Sequence, residues 1–241
     1  TRLRLSNATL KGLPNYSIRR SMAYFGEASI GWKSSIFLTY SHRFEESSIF
    51  PKEFRNYDYP AASMSVIVTD LIPGIKGKTL SFWKLRGSLA NTARSSQPYA
   101  NQSIFNPIFS SGLGFAYGFT NNNAFLEPEE QSTFEVGTEL RFNNSRLSLD
   151  ATYYNTKNSN LIVEQFRASY GTGFVLNTLN VGANRNQGVE VALNLDLVRS
   201  KKFTWNSRIN FNKMWNEVLE LPANVPEFYQ SDTWLYGNAR G

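Results

Sequence analysis

A regular alternation of apolar and polar side chains between Ser132 and Trp215 constrains this sequence more than any other feature. The alternation falls into segments of about ten residues, which cover positions 132–142, 146–155, 187–197 and 203–211. A period of two places the apolar side chains on one face of a β-strand and the polar side chains on the other. Segments of this length and pattern are also typical of strands that cross a membrane in a β-barrel.

Further strands are predicted in the first half of the chain, at residues 20–31, 35–42, 61–70 and 82–90. The connections between successive strands alternate in length. The short connections are 32–34, 73–77, 143–145 and 199–202, and the long ones are 43–60, 93–129 and 157–186. This asymmetry predicts an all-β, antiparallel transmembrane β-barrel segment with short periplasmic turns and long extracellular loops.

The irregular segments carry fewer signals. Residues 1–19 and the chain from Glu217 onward are predicted to be loops, and residues 161–167 with 174–179 are predicted to form a hairpin beyond the barrel. Aromatic residues in the longest loop either stack on sugar rings, contact a partner or pack on one another. These candidates for ligand or partner contact are Tyr99, Phe105, Phe109, Tyr117 and Phe119.

The composition narrows the class of protein. The chain lacks any run of about 18 apolar residues, which argues against a helical membrane protein. It has no cysteine, and this excludes disulfides, thiolate metal sites and cysteine nucleophiles. The net charge of +6 is spread over scattered basic residues, so no nucleic-acid partner is predicted.

The polar faces of the predicted strands carry charges of both signs. Such charges fit contact with a plug or a water-filled lumen, and they fit equally a wall whose charges pair with one another. These lumen-facing or plug-facing candidates are Lys84, Arg86, Glu135, Glu139, Arg141, Asp150, Glu190, Asp196 and Arg208.

Aromatic residues mark both ends of the predicted strands on their apolar faces. Trp32, Trp83 and Trp205 are close to short connections. The predicted strand limits place Tyr40, Tyr153 and Trp215 near the long loops. Two such rings are expected where a barrel meets the headgroups of a membrane, because amphipathic rings favour that level. The alternative is the general preference of strands for aromatic residues.

No residue set in the sequence points to catalysis. His42 is the single histidine and is predicted to be a solvated residue at a strand end, because a metal site would need Glu45 and Glu46 to complete it. The common serine and cysteine triads are not predicted, because the chain has no cysteine and no histidine other than His42. We therefore predict no enzyme activity, no metal and no cofactor.

Several motifs occur in a fixed order along most of the chain. They cover residues 43–48, 83–88, 126–140, 149–155, 184–191, 203–205, 210–212 and 216–218. In this order and spacing the sequence resembles the SusC/RagA family of TonB-dependent outer-membrane transporters of Bacteroidetes.

The resemblance implies that residues 1–241 form part of one β-barrel domain in a barrel of about 22 strands. The plug and amino-terminal domains of the family have no counterpart in this sequence, so the chain is expected to be an internal part of a barrel. The whole protein would import oligosaccharides or peptides through the outer membrane, using TonB energy and a SusD-like surface lipoprotein partner. Two alternatives also fit the alternation. One is a self-contained β-sheet module that binds carbohydrate or protein, and the other is a small passive porin or adhesin barrel.

Overall fold

The computed structural model describes residues 18–72, 74–103, 105–108, 114–118, 120–167, 176–221, 227–229 and 237–239. Almost all regular structure in these residues is β-strand. The strands are β1 Ser21–Trp32, β2 Ile36–Ser47, β3 Asn56–Ile67, β4 Leu80–Arg94, β5 Phe105–Ile108, β6 Gly114–Tyr117, β7 Thr120–Asn121, β8 Glu129–Phe142, β9 Leu147–Ser159, β10 Ile162–Arg167, β11 Leu176–Asn180, β12 Ala183–Arg199, β13 Thr204–Glu220, β14 Glu227–Tyr229 and β15 Gly237–Ala239.

Eight strands form one main sheet in the order β1-β2-β3-β4-β8-β9-β12-β13. Every neighbouring pair in this sheet is antiparallel. The all-β antiparallel prediction is therefore confirmed. Within the described residues the sheet is open, since β1 and β13 are its outer strands and do not pair with each other.

The main strands are longer than the alternation predicted. Residues 43–60 were expected to be a loop, but β2 runs to Ser47 and β3 begins at Asn56. Pro60 had suggested a loop because proline cannot donate to a sheet ladder. It is tolerated here because β3 pairs with β4 only from Ala61 onward, which leaves one side of the strand free at Pro60.

Two other predicted boundaries are also wrong. The strand predicted to reach residue 70 ends at Ile67, and Val68–Leu71 form a single helical turn. Val68 and Thr69 are buried there, and the Thr69 hydroxyl accepts a hydrogen bond from the backbone N–H of Trp83. At the other end of the chain, β13 continues to Glu220, past the point where irregular structure was expected. None of the helical turns in the described residues has the length and hydropathy of a membrane-crossing helix.

The short turns do not lie at one level of the sheet, because each is displaced along the strand direction relative to the turn before it. Trp32, at the end of β1, is level in the ladder with Thr138 of β8 and Phe211 of β13. From that level β8 continues to Phe142, whereas β13 starts further down, at Thr204. A progressive stagger of this kind is what tilted strands produce in the wall of a barrel.

A cluster of buried apolar residues lies among the long connections. Ile49, Phe50 and Leu126 are buried together. Partly buried apolar residues that pack against them are Phe54, Tyr57, Ala100 and Ile162. The predicted hairpin beyond the barrel is present, because β10 pairs with β11 in a separate small sheet with β7. The predicted loop at residues 1–19 lies mostly outside the described residues.

Candidate functional site

The ladder places all the charged candidates on one face of the main sheet, which we call the polar face. Lys84 is directly opposite Glu139, and Glu139 is directly opposite Asp150. The remaining candidates share the same face through the register of their strands, and they are Arg86, Glu135, Arg141, Glu190, Asp196 and Arg208. The alternation in the sequence is thus sufficient to place these side chains together.

Arg86 is the centre of the most extensive side-chain network on the polar face. Its Nη1 atom donates to Oδ2 of Asp150 at 2.9 Å, and its Nη2 atom donates to Oδ1 of Asp150 and to Thr152 Oγ1, both at 2.6 Å. The guanidinium reaches from β4 over β8 to β9. Both partners keep contact with solvent, since the side chains of Arg86 and Asp150 are 37% and 40% exposed.

Glycines on the intervening strands allow these long side chains to lie flat. A Cβ atom at Gly137 would stand 2.8 Å from Nε of Arg86. A Cβ atom at Gly188 would stand 2.6 Å from the Tyr154 hydroxyl and 2.7 Å from the backbone oxygen of Lys213. The absence of a side chain at these positions therefore leaves room for Arg86 and Tyr154 to cross the sheet.

Other charged candidates also have partners on the same face. Arg141 forms an ion pair with Glu139 at 2.6 Å and lies over the Phe82 ring, with 4.7 Å between the guanidinium carbon and the ring centroid. Nε of Arg208 donates to Oδ1 of Asn194 at 2.6 Å. Five candidates take part in no ion pair within the ranges that the structure describes, namely Lys84, Glu135, Glu190, Asp196 and Arg208. The polar face thus combines paired charges with charges that are open to another surface.

Shallow depressions flank Arg86 on both sides. The depression toward β2 and β3 is lined by Thr39, Ser63, Ser65, Ser88 and Glu135, among others. The depression toward β13 is lined by Asp150, Glu190, Asn210 and Asn212, among others. Hydroxyl, amide and carboxylate groups line both depressions together with apolar atoms, and a surface that offers such polar groups suits a wall that is in contact with water.

The predicted girdle residues all lie on the opposite face of the sheet, which we call the apolar face. Large exposed aromatic side chains there include Trp32, Trp205 and Trp215. Trp83 donates from Nε1 to Thr138 Oγ1 at 3.1 Å, and the Tyr153 hydroxyl donates to Gln187 Oε1 at 3.0 Å. Tyr40 and Tyr153 also lie on this face, but in the middle of β2 and of β9, because both strands extend further toward the long loops than predicted.

His42 lies inside β2, so the prediction that it sits at a strand end is wrong. Its Nε2 atom is 3.1 Å from Asp58, its Nδ1 atom is 2.9 Å from the Tyr40 hydroxyl, and its ring stacks on Phe44 at 4.3 Å. The carboxylate partner is thus Asp58 of β3 and neither of the glutamates that the sequence suggested. Among the described residues no group of three or more His, Cys, Asp or Glu side chains could hold a metal ion.

The predicted aromatic residues of the long loop are only partly described. Tyr99 is exposed and has a positive φ of 66°, and Phe105 is 56% exposed at the start of β5. Tyr117 belongs to β6. Phe109 and Phe119 lie outside the described residues.

A hydrogen-bond network that sequence reasoning missed connects two long connections. Asn180 accepts from the backbone N–H of Glu127 at 2.8 Å and donates to the carbonyl oxygens of Glu127 and Asn160. Asn160 in turn donates to the carboxylate of Glu127 at 3.0 Å. A signal was present in the sequence, since asparagine readily binds backbone groups in turns, but the pairing depends on the fold.

Comparison with known proteins gives a family for this arrangement. Residues 4–238 match the family model described as TonB dependent receptor-like, beta-barrel. The chain belongs to this family. Its match to SusC of Bacteroides thetaiotaomicron is 24% identical over 236 residues, covering 92% of the chain and 23% of SusC. Its match to TonB-dependent receptor P3 of Formosa agariphila is 24% identical over 218 residues, covering 87% of the chain and 21% of the relative.

Solved structures of the family have the same fold. A structure of the RagAB peptide transporter superposes with a TM-score of 0.79 at 22% identity, covering 88% of this chain and 23% of the other. The RagAB peptide importer in the open-open state gives a TM-score of 0.80 at 22% identity, covering 92% and 24%. The predicted SusC/RagA-type barrel is therefore confirmed. The chain spans only about a quarter of the length of these relatives.

Proposed function

We propose that this chain is part of the barrel wall of an active importer that takes up oligosaccharides or peptides through the outer membrane of a bacterial cell. TonB would supply the energy, and a SusD-like surface lipoprotein would be the partner. Residues 1–241 would belong to one barrel domain, and the plug and amino-terminal domains would be separate parts of the protein. Support comes from the family match and from relatives whose names describe receptors and a peptide transporter.

The observation that carries the proposal is the division of the main sheet into two chemically different faces. The apolar face presents exposed side chains such as Leu38, Val136, Ile209 and Trp215, which suit contact with lipid. The polar face carries the charged network around Arg86. A barrel wall needs this combination, because lipid surrounds its outside and water or a plug fills its inside.

Within this function the paired and open charges have different roles. Arg86 and Asp150 satisfy each other and so act as a fixed part of the wall. Lys84 and Glu135 have no ion-pair partner in the described part of the sheet and are available to a plug. Such contacts would break and reform as the plug rearranges, and the import cycle would involve no covalent chemistry by this chain.

The long connections would supply the contacts outside the membrane. Their buried core around Phe50 and Leu126 gives them a defined shape. Aromatic side chains on such a frame suit sugar rings, peptides or a lipoprotein surface. We propose this role for the loop candidates Tyr99, Phe105, Phe109, Tyr117 and Phe119.

Uptake in living cells tests the proposal. A strain that lacks the gene is compared with its parent for growth on oligosaccharide mixtures and on peptide mixtures as the only carbon source. We expect growth on one of the two classes to be lost, and to be lost again when TonB or the proposed SusD-like lipoprotein is removed from the parent. Growth that depends on the gene but not on TonB would instead identify a passive pore, and growth unaffected by loss of the gene would contradict import.

A further inference from the structure

Three basic residues lie together on the apolar face at the long-loop end of the sheet. Lys157 of β9 is directly opposite Arg185 of β12 in the ladder. Arg185 is followed two residues later by Gln187, which is opposite Trp215 of β13. Lys213 lies two residues before Trp215 and shares its face. We call Lys157, Arg185 and Lys213 the basic rim.

The orientation of Lys213 shows where its charge is presented. Its Nζ atom lies 5.1 Å from the centroid of the Trp215 ring, so the side chain extends along the strand toward the long-loop end. A lysine on a lipid-facing surface behaves in this way because its aliphatic stem remains in the apolar layer while the ammonium reaches the headgroups. Lys213 therefore adds its charge at the level of Trp215, just below the level of Lys157 and Arg185.

The spacing of tryptophans on β13 places this level at a membrane boundary. Trp205 and Trp215 lie on the same face of one strand, at opposite ends of its apolar part. Ten residues at about 3.3 Å each, tilted by about 40°, rise about 25 Å, which is the height of the apolar band of an outer-membrane barrel. The basic rim is thus expected at the outer leaflet, on the side of the long extracellular loops.

The charge of the rim differs from that of β2 and β3. Glu217 forms an ion pair with Arg185 at 3.5 Å, and Glu130 lies on the same face nearer the long loops. The basic residues outnumber these acids. On β2 and β3 the outward residues at the same end are instead Glu46 and Asp58, with His42 beside them. An anionic group would therefore be attracted to β9, β12 and β13 and repelled from β2 and β3.

We propose that the basic rim binds the phosphate groups of a phosphorylated outer-leaflet lipid. This inference rests on the proposed outer-membrane location, but it concerns the outside of the barrel and not the import path. Lys157 and Lys213 provide charges without a carboxylate partner in the described residues. Arg185 provides a planar donor group, and Trp215 with the aromatic belt would pack against the lipid below its headgroup.

The test measures lipid retained by the intact outer-membrane protein in mild detergent, by native mass spectrometry with added bis-phosphorylated lipid A. The triple variant Lys157→Gln/Arg185→Gln/Lys213→Gln is compared with Lys78→Gln/Lys201→Gln/Lys202→Gln, which removes the same charge in the short connections. We expect the rim variant to retain at least about fivefold less lipid, the size of effect of one basic residue near an anionic surface. The control variant should match the parent protein.

Two further measurements distinguish the phosphate of a lipid from free inorganic phosphate. Lipid A without phosphates should bind weakly and equally to the parent and the rim variant, and inorganic phosphate at the same concentration should not displace the phosphorylated lipid. Equal retention by the parent and the rim variant would overturn the proposal. So would equally strong binding of the lipid without phosphates, or displacement by inorganic phosphate.

A single substitution tests the same idea in the opposite direction. Glu217→Gln removes the acid that pairs with Arg185, and lipid retention should rise about twofold because the rim becomes more positive. Folding of each variant is checked by the heat-dependent gel mobility of barrels. If the triple variant fails to fold, unchanged lipid retention in Glu217→Gln would still contradict binding at the basic rim. Lipid retention is measured without substrate, so a negative uptake experiment would not affect it.

Discussion

Gly137 and Gly188 control how closely side chains approach the backbone of the polar face. At Gly137 the nearest obstacle to a Cβ atom is the flexible Arg86 guanidinium, at 2.8 Å. At Gly188 the obstacles include the backbone oxygen of Lys213, at 2.7 Å. A side chain can move aside more readily than a neighbouring strand can, so the two glycines differ in how replaceable they are.

We therefore expect Gly188→Ala to destabilise the barrel more than Gly137→Ala. Overpacking that moves backbone costs about 1–3 kcal/mol, whereas displacement of the partly exposed Arg86–Asp150 pair should cost at most about 1 kcal/mol. Gly26→Ala is the matched control, since a Cβ there meets nothing within 4 Å. Unfolding of the intact protein in detergent with increasing urea gives the three stabilities. Equal losses at Gly188 and Gly26 would contradict the close packing over β12.

The sequence predicts the face of each charged residue but not its partner. Alternation is a local property, so the side of the sheet on which Arg86 and Asp150 lie follows from their own strands. Their pairing joins residues 64 positions apart. It depends on β8 lying between β4 and β9, on the register of both ladders and on the missing side chain at Gly137. None of these is visible as a local pattern.

At the scale of elements, the long connections are built around a buried core that contains Leu126. This residue is fully buried, whereas its neighbour Phe125 is 75% exposed. The local turn explains the difference, because Asn123 accepts a hydrogen bond from the backbone N–H of Phe125 through its side chain and from that of Leu126 through its carbonyl oxygen. Hydrophobicity alone cannot tell which of two adjacent apolar residues is buried, so the sequence did not reveal this core.

Leu126→Ala should loosen the long connections while leaving the main sheet intact. Removal of a buried leucine side chain costs about 2–5 kcal/mol, and this cost falls on the loop core with Ile49 and Phe50. We expect limited proteolysis of the folded protein to cut residues 95–103 and 120–128 faster, without loss of the heat-resistant barrel band on gels. Phe125→Ala is the control for the same loop and should leave the cleavage rate unchanged. If both variants are cleaved alike, Leu126 is not the residue that holds these loops together.

At the scale of the whole molecule, adjacent residues on one strand should respond in opposite ways to the same new charge. Val136 is on the apolar face of β8 and is 44% exposed, and Glu135 precedes it on the polar face. An arginine on the lipid side of a barrel costs about 2–4 kcal/mol near the middle of the membrane, whereas the lumen accepts charge. Val136→Arg should therefore reduce the amount of folded protein in the outer membrane, while Glu135→Arg should assemble like the parent.

The comparison is made on intact protein in isolated outer membranes, with Val136→Gln to separate the effect of charge from that of size. Because the two positions share one strand and one neighbourhood, equal assembly of both arginine variants would mean that the apolar face of this sheet is not in contact with lipid.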